Sequence, residues 1–387
     1  MYTRRLPLPD RSFFLFGPRG TGKTTWLRGV LGDAHWVNLV VDRELVRMTR
    51  DPQQLALEVE ALPRNSWVVI DEVQRLPALL GDVQDIIARH GNRYRFALTG
   101  SSARKLRRSH VNLLPARVVN RKFFPLTAAE LGSDFVLEDV LRYGTLPAVC
   151  AEASDRLDVR VDLLEAYAEN YLTQEIRQEA LVKNLASFTR FLEVAALANA
   201  QVTNVSSIAR DAAVARPTVQ GYFEILTDTL IGTWLPAWRP RAKVKEVGHP
   251  KFYFFDPGVV RALSRRLREP LSDTERGHLL ETYVLHELRA WINESGCGGE
   301  LFYWRTPSGA EVDFIWHRAS SRVGIEVKAA TRWRREEGAS LQTLHGEGKV
   351  RRCIAVYLGR EVLRDGSLDI WPLPVFLERL AEGDVVG

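Results

Sequence analysis

Residues 17–24 read Gly-Pro-Arg-Gly-Thr-Gly-Lys-Thr, a complete G-x-x-x-x-G-K-[ST] phosphate-binding loop. An apolar run, Phe13 to Phe16, precedes it, and Thr25-Trp26-Leu27 follows as the start of a helix. A strand that delivers a glycine-rich turn onto a helix N-terminus aims several backbone N–H groups at one point, where the helix dipole also favours an anion. Gly17, Gly20 and Gly22 let the chain curl around phosphates, and Pro18, Arg19, Thr21 and Thr25 complete the binding segment. Lys23 is expected to reach the β- and γ-phosphates, and the Thr24 hydroxyl to ligate Mg²⁺.

Further apolar runs recur between helical patterns, at Trp36 to Val41, Trp67 to Ile70, Tyr94 to Leu98 and Val118 to Phe124. The alternation predicts an α/β fold, a mainly parallel sheet with helices on both faces. Ligands of such sheets bind at the carboxyl ends of the strands, so the residues just after each strand carry the chemistry. After Trp67-Val68-Val69-Ile70 come Asp71 and Glu72. Asp71 is suited to hold Mg²⁺ through its water shell, and Glu72 to polarise the water that attacks the γ-phosphate. Thr99, at the end of the next strand, is the first choice for a polar contact to that water, while Ser101 and Ser102 equally suit a helix cap. Arg117 could reach a neighbouring subunit's nucleotide as an arginine finger; the alternatives are a DNA-phosphate contact or a surface ion pair.

Composition limits what surrounds this site. The 387 residues suffice for two or three domains. No apolar run approaches the roughly 20 residues that span a bilayer, and the segment Met1 to Pro7 leads into no secretory signal, so no membrane association is expected. Cys150, Cys297 and Cys353 are few and far apart, which fits a reducing cytoplasm and gives no metal-ligand spacing. The net charge is only +5, but it is clustered. Arg104, Lys105, Arg107, Arg108, Arg117, Arg121 and Lys122 occur with no acidic residue between Ala103 and Pro125. Smaller groups follow at Arg239, Arg241, Lys243 and Lys245, and at Arg261, Arg265, Arg266 and Arg268. Such clusters are the footprint of a polyanion or simply a solvated arginine-rich surface.

Gly-Pro-Arg-x-x-Gly-Lys-Thr-Thr, Ile-Asp-Glu-Val-Gln-Arg-Leu-Pro (Ile70 to Pro77) and Leu-Thr-Gly-Ser-Ser (Leu98 to Ser102) together resemble a bacterial and archaeal branch of the AAA+ ATPases. That branch commonly has Ala-Gly-Arg where this chain has Pro115-Ala116-Arg117. The resemblance implies ATP hydrolysis with Mg²⁺ and a homo-oligomeric ring, of six subunits in the AAA+ pattern.

Downstream, Leu163, Leu164, Tyr167 and Tyr171 recur at helical spacing. Val205 to Asp211 reads as a short helix with a Ser cap, and a second helix with Pro217 in its first turn follows. Two helices so close, followed by the hairpin-like stretch Ile231 to Phe255, predict a winged helix. Arg216, Thr218 and Gln220 then face out as nucleic-acid candidates, although many such domains pack internally or bind protein.

The C-terminal third holds a helix around Glu281, then Glu311-Val312-Asp313 and Gly324-Ile325-Glu326-Val327-Lys328. Strand periodicity puts Glu326 and Lys328 on one face, with Asp313 on the preceding strand. This set resembles the PD-(D/E)xK nuclease superfamily, which includes type II restriction enzymes and archaeal Holliday-junction resolvases, though the usual Pro before the Asp is absent. The resemblance implies Mg²⁺ or Mn²⁺ held by Asp313, Glu326 and Glu281, with Lys328 stabilising the transition-state anion. Strand-edge ion pairs in a domain that does not cleave would leave the same residues.

Four segments are expected: an AAA+ ATPase domain at 1–131, a helical connector at 132–185, a winged helix at 186–256 and a small α/β nuclease-like domain at 257–387. Two functions remain open. One is an ATP-driven machine acting on branched or duplex DNA, although the basic clusters carry no base code that separates DNA from RNA. The other is a nucleotide-controlled switch that binds a protein partner through a non-cleaving docking domain.

Overall fold

Phe13–Phe16 forms the first strand, β1, and all four of its residues are buried. In the computed structural model, which describes residues 2–51, 53–101, 117–152, 155–171, 184–239 and 248–386, this strand lies inside a five-stranded sheet. The others are β2 (His35–Asn38), β3 (Ser66–Asp71), β4 (Tyr94–Gly100) and β5 (Val119–Lys122). Their order is β2-β3-β4-β1-β5 and every pairing is parallel.

Both faces of the sheet are covered, as its continuous apolar strands require. Phe14, Phe16, Val68 and Ile70 pack with Met48, Leu55, Val59, Leu80 and Val83, which come from the helices Asp42–Arg50, Gln54–Glu60 and Leu79–His90. Phe13, Leu15, Val69 and Ala97 face the other way, onto Trp26 and Leu27 of the helix Lys23–Val30. Each such side chain contributes roughly 1.5–3 kcal/mol on burial. The second strand is shorter than its apolar run: β2 ends at Asn38, and Val40 and Val41 are 53% and 46% exposed ahead of the next helix. Two compact units divide the chain, this one being Thr3–Pro125 with Asp228–Ile231.

The other unit comprises Met1–Tyr2, Leu126–Thr227 and Gly232–Gly387. It opens with short helices, among them Leu137–Tyr143 and Leu157–Ala166. The helices Leu185–Leu197, Val205–Asp211 and Arg216–Asp228 come next, followed by an antiparallel pair, β6 (Gly232–Leu235) and β7 (Lys251–Phe254). The cap of Val205–Asp211 is Asn204, not a serine: its side chain accepts from the Ser206 and Ser207 N–H groups. An aromatic cluster fixes the hairpin, with the Phe223 ring 4.7 Å from Phe252 and 4.8 Å from Trp234.

The remaining sheet is mixed and six-stranded, in the order β12-β13-β11-β10-β9-β8. It is built from β8 (Glu300–Arg305), β9 (Glu311–Arg318), β10 (Ser321–Lys328), β11 (Arg352–Tyr357), β12 (Leu363–Asp365) and β13 (Leu368–Pro372). β9 and β10 pair antiparallel across a tight turn, and β10 pairs parallel with β11. The long helix Asp273–Ser295, capped by Ser272, carries Glu281. Among the described residues no helix is long and apolar enough to cross a membrane.

Candidate active site and a second, charged cluster

The phosphate loop connects β1 to the helix Lys23–Val30. Gly20 and Gly22 adopt positive φ, 78° and 89°, where a side chain is strained. Gly17 is needed for a different reason. A Cβ there would lie 2.3 Å from the Phe123 carbonyl oxygen, so the loop starts pressed against the backbone just past β5. Thr21 closes the turn by donating to the Pro18 carbonyl at 2.9 Å. Lys23 is buried, and its ammonium donates to the carbonyls of Gly17 (2.7 Å) and Pro18 (3.0 Å), which centres it over the loop. Arg19 is half-buried and Thr25 exposed.

Residues from two strand ends and the start of the helix meet beside the loop. The Thr24 hydroxyl donates to Asp71 Oδ2 at 2.9 Å. Thr99, fully buried, donates to Asp71 Oδ1 and accepts the Glu72 N–H at 2.9 Å. One hydroxyl therefore fixes both acidic residues. Glu72 itself takes a left-handed backbone conformation, φ 59°, uncommon for a non-glycine residue.

Two contributors escape the sequence reading. Gln74, buried two residues on, donates from Nε2 to the Glu72 carboxylate and to Ser101 Oγ (3.1 Å). Arg4 donates to the Thr21 carbonyl (2.8 Å) and the Phe124 carbonyl (2.6 Å) and lies over the Phe123 ring, bracing the loop from outside. The signal for Gln74 was its place in the Asp-Glu-Val-Gln run; nothing near Arg4 in sequence marks it. Arg117 is exposed immediately ahead of β5. Arg104, Lys105, Arg107 and Arg108, with Ser102, lie outside the described residues, as do Arg241, Lys243 and Lys245.

These residues fit Mg²⁺ and a nucleoside triphosphate. Lys23 holds an ammonium over the loop, and Thr24 and Asp71 bring hard oxygen donors together beside it.

In the other unit, Glu281, Asp313, Glu326 and Lys328 do converge, in a cleft of about 450 Å³. Asp313 Oδ2 accepts the Val327 N–H at 2.8 Å, and Lys328 Nζ pairs with Glu326. Burial, reinforced by Asp313, pushes the Glu281 carboxyl up to about 7, and the same causes push the Glu326 carboxyl well above its ordinary range. Glu326 Oε2 is buried without a hydrogen-bond partner, an orphan of the kind a cation satisfies.

Yet the cluster does not fit a divalent metal. Among the described residues no group of three or more His, Cys, Asp or Glu is arranged to hold one. Lys251, at the start of β7, stands in the middle: its Nζ is 2.6 Å from Glu311, 3.2 Å from Glu281 and 3.9 Å from Asp313. Burial lowers its basicity, but Glu281, Tyr253, Asp313 and Glu311 more than offset this and hold the proton firmly. A lone lysine heading four aromatic residues was the available clue, since a charge in such a run must be paired.

Arg216, Thr218 and Gln220 are exposed at the start of their helix, with Val219 buried between them. The Arg261 to Arg268 cluster is not a free basic surface. Arg261 is fully buried against Glu275, and Arg265, Arg266 and Arg268 pair with Glu193, Glu269 and Asp162 or Glu165. Burial raises the Cys150 thiol to about 12 and Cys353 to about 11, as expected of packed thiols.

Comparison with known proteins agrees with this geometry in the N-terminal unit. Residues 9–132 match the AAA domain family, residues 135–269 a domain of unknown function (DUF8612), and residues 276–376 another (DUF4143). Uncharacterized proteins of Mycobacterium tuberculosis and Mycobacterium bovis are each 28% identical over 317 residues, 81% of this chain and 69% of theirs. Family match and site geometry together put residues 9–132 with the AAA-type ATPase domains, in a chain that ends in a DUF4143 domain.

Proposed function

We propose that the protein is an Mg²⁺-dependent ATPase whose hydrolysis cycle acts on DNA, remodelling or translocating a branched or duplex substrate. The observation that carries the ATPase reading is the Thr24–Asp71–Thr99–Glu72 network beside the phosphate loop. Lys23 would exchange its loop carbonyls for phosphate oxygens, and Thr24 and Asp71 would hold the Mg²⁺, which neutralises charge on the phosphates. Glu72 orients the attacking water and draws off its proton, while Thr99 and Gln74 hold Glu72 in position. The exposed Arg216, Thr218 and Gln220 support a DNA contact from a winged-helix segment at 186–256. Arg117 would serve a neighbouring subunit of a ring.

A second reading, a nucleotide-controlled switch docked to a protein partner, is favoured by one observation. Lys251 neutralises the carboxylates of the nuclease-like segment at 257–387, which supports docking over metal-dependent cleavage there. ATP turnover measured with linear, forked and four-way DNA in low salt separates the two. Stimulation by DNA, with turnover abolished in Lys23→Ala and Glu72→Gln, is expected. Turnover indifferent to every DNA would refute the DNA reading, and turnover retained in Glu72→Gln would refute the site.

A further inference from the structure

Strand β7 alternates two environments. Phe252 and Phe254 turn into the aromatic cluster with Phe223 and Trp234, whereas Lys251 and Tyr253 turn towards Glu281. The Lys251 side chain is only 4% exposed. Backbone pairing to Leu235 and a bridge to Val202 fix its Cα, and its ammonium lies 5.5 Å from the Tyr303 ring centroid. Four carboxylates line the cleft: Glu281, Glu311, Asp313 and Glu326. Lys328 serves Glu326, and Arg305 shares Glu311 at 3.3 Å. That leaves Glu281 and Asp313 with Lys251 as the cation nearest to both.

We propose that Lys251 is a tethered counter-ion that fills the cation position of this cluster and keeps a hard multivalent cation out, so that a neutral side chain in its place lets the carboxylates around it rearrange onto such an ion. A free cation entering among these carboxylates would sit against the ammonium, and the two like charges repel strongly at such close range. Mg²⁺ must also shed bound water, which it does reluctantly. The ammonium is held on a paired strand and is never diluted, so it wins the position. This deepens the non-cleaving reading of the C-terminal segment; the test measures ion binding, not cleavage, so either can fail alone.

The experiment titrates Tb³⁺ into nucleotide-free, full-length protein and follows emission sensitised by aromatic excitation, Tyr253 being hydrogen-bonded to Glu281 at 3.1 Å. Wild type and Lys251→Arg should show no saturable binding that Asp313→Asn removes. Lys251→Met should acquire such binding, at least about tenfold tighter than any in wild type, and Lys251→Met/Asp313→Asn should lose it. Binding near Asp71 is insensitive to Asp313→Asn and drops out of the comparison. The proposal is overturned if wild type binds Tb³⁺ in a manner that Asp313→Asn abolishes, or if folded Lys251→Met gains no site. Should Lys251→Met fail to fold, wild type against Asp313→Asn decides alone: Asp313-dependent binding refutes the proposal and its absence supports it.

Discussion

Replacing Thr99 by valine keeps the shape of a fully buried side chain and deletes only its hydroxyl. Two interactions go. The Glu72 N–H loses its acceptor at 2.9 Å, and Asp71 Oδ1 loses a donor. An orphaned buried N–H costs about 1–3 kcal/mol, and a hydrogen bond to a charged group is worth about 1.5–3 kcal/mol. The two share one atom and do not add fully, so a loss of ~2–4 kcal/mol in stability of the N-terminal unit is expected. If ~1.4–2.8 kcal/mol of that held Asp71 and Glu72 in their reactive placement, kcat falls about 10- to 100-fold. Nucleotide affinity should change less than about 3-fold, because Lys23 and the loop glycines are untouched. Phosphate-release kinetics give kcat, titration with a fluorescent nucleotide gives affinity, and Thr99→Ser should restore both. A variant of lowered stability but wild-type kcat would show that Thr99 is only a strut. An equal loss of affinity and kcat would contradict the assigned division of labour.

Gln74→Leu removes the donor that holds the Glu72 carboxylate, along with a buried Gln74 Oε1 that has no hydrogen-bond partner. Turnover should fall about 10-fold at unchanged nucleotide affinity, and an unchanged rate would remove Gln74 from the site. In the other unit, burial holds Asp256 up at about 6 against an ordinary 3.8, even with the Thr145 and Val259 N–H groups donating to it. The folded state thus binds this proton more tightly than the unfolded one, so stability falls as pH rises from about 3.8 to about 6 and is flat above, a change of ~3 kcal/mol. Urea midpoints at pH 5 and pH 7.5 should converge in Asp256→Asn relative to wild type; parallel shifts in both proteins would refute the assignment.

The N-terminal site was legible because its chemistry sits at the ends of apolar strands and in one loop. Asp71 and Thr99 are reached by counting to the last residues of β3 and β4. Parallel pairing then brings those ends together with the loop, so local pattern predicts long-range contact. What escaped depends on partners that no local pattern names. Arg4 braces a loop and a strand end through backbone carbonyls, which carry no side-chain signature. The expected strand Trp36 to Val41 overran because apolar character alone does not say where sheet pairing stops, and Val40 and Val41 face solvent. In the C-terminal cluster, Glu326 and Lys328 were visible from two-residue periodicity within β10. Lys251 was not, because its partners lie on another helix and strand and only the fold brings them together.

The alternation along β7 also acts as a register lock. The connection from Leu235 to Lys251 is too long for turn geometry to dictate how the two strands align. A slip of one residue would drive the Lys251 ammonium among Phe223, Trp234 and their neighbours and turn Phe252 towards four carboxylates. Stranding that charge among aromatic rings costs several kcal/mol, far more than a lost backbone pair. Charge placement thus makes this hairpin self-indexing, and a Lys251→Met protein would keep the strands while losing the penalty that forbids their misalignment.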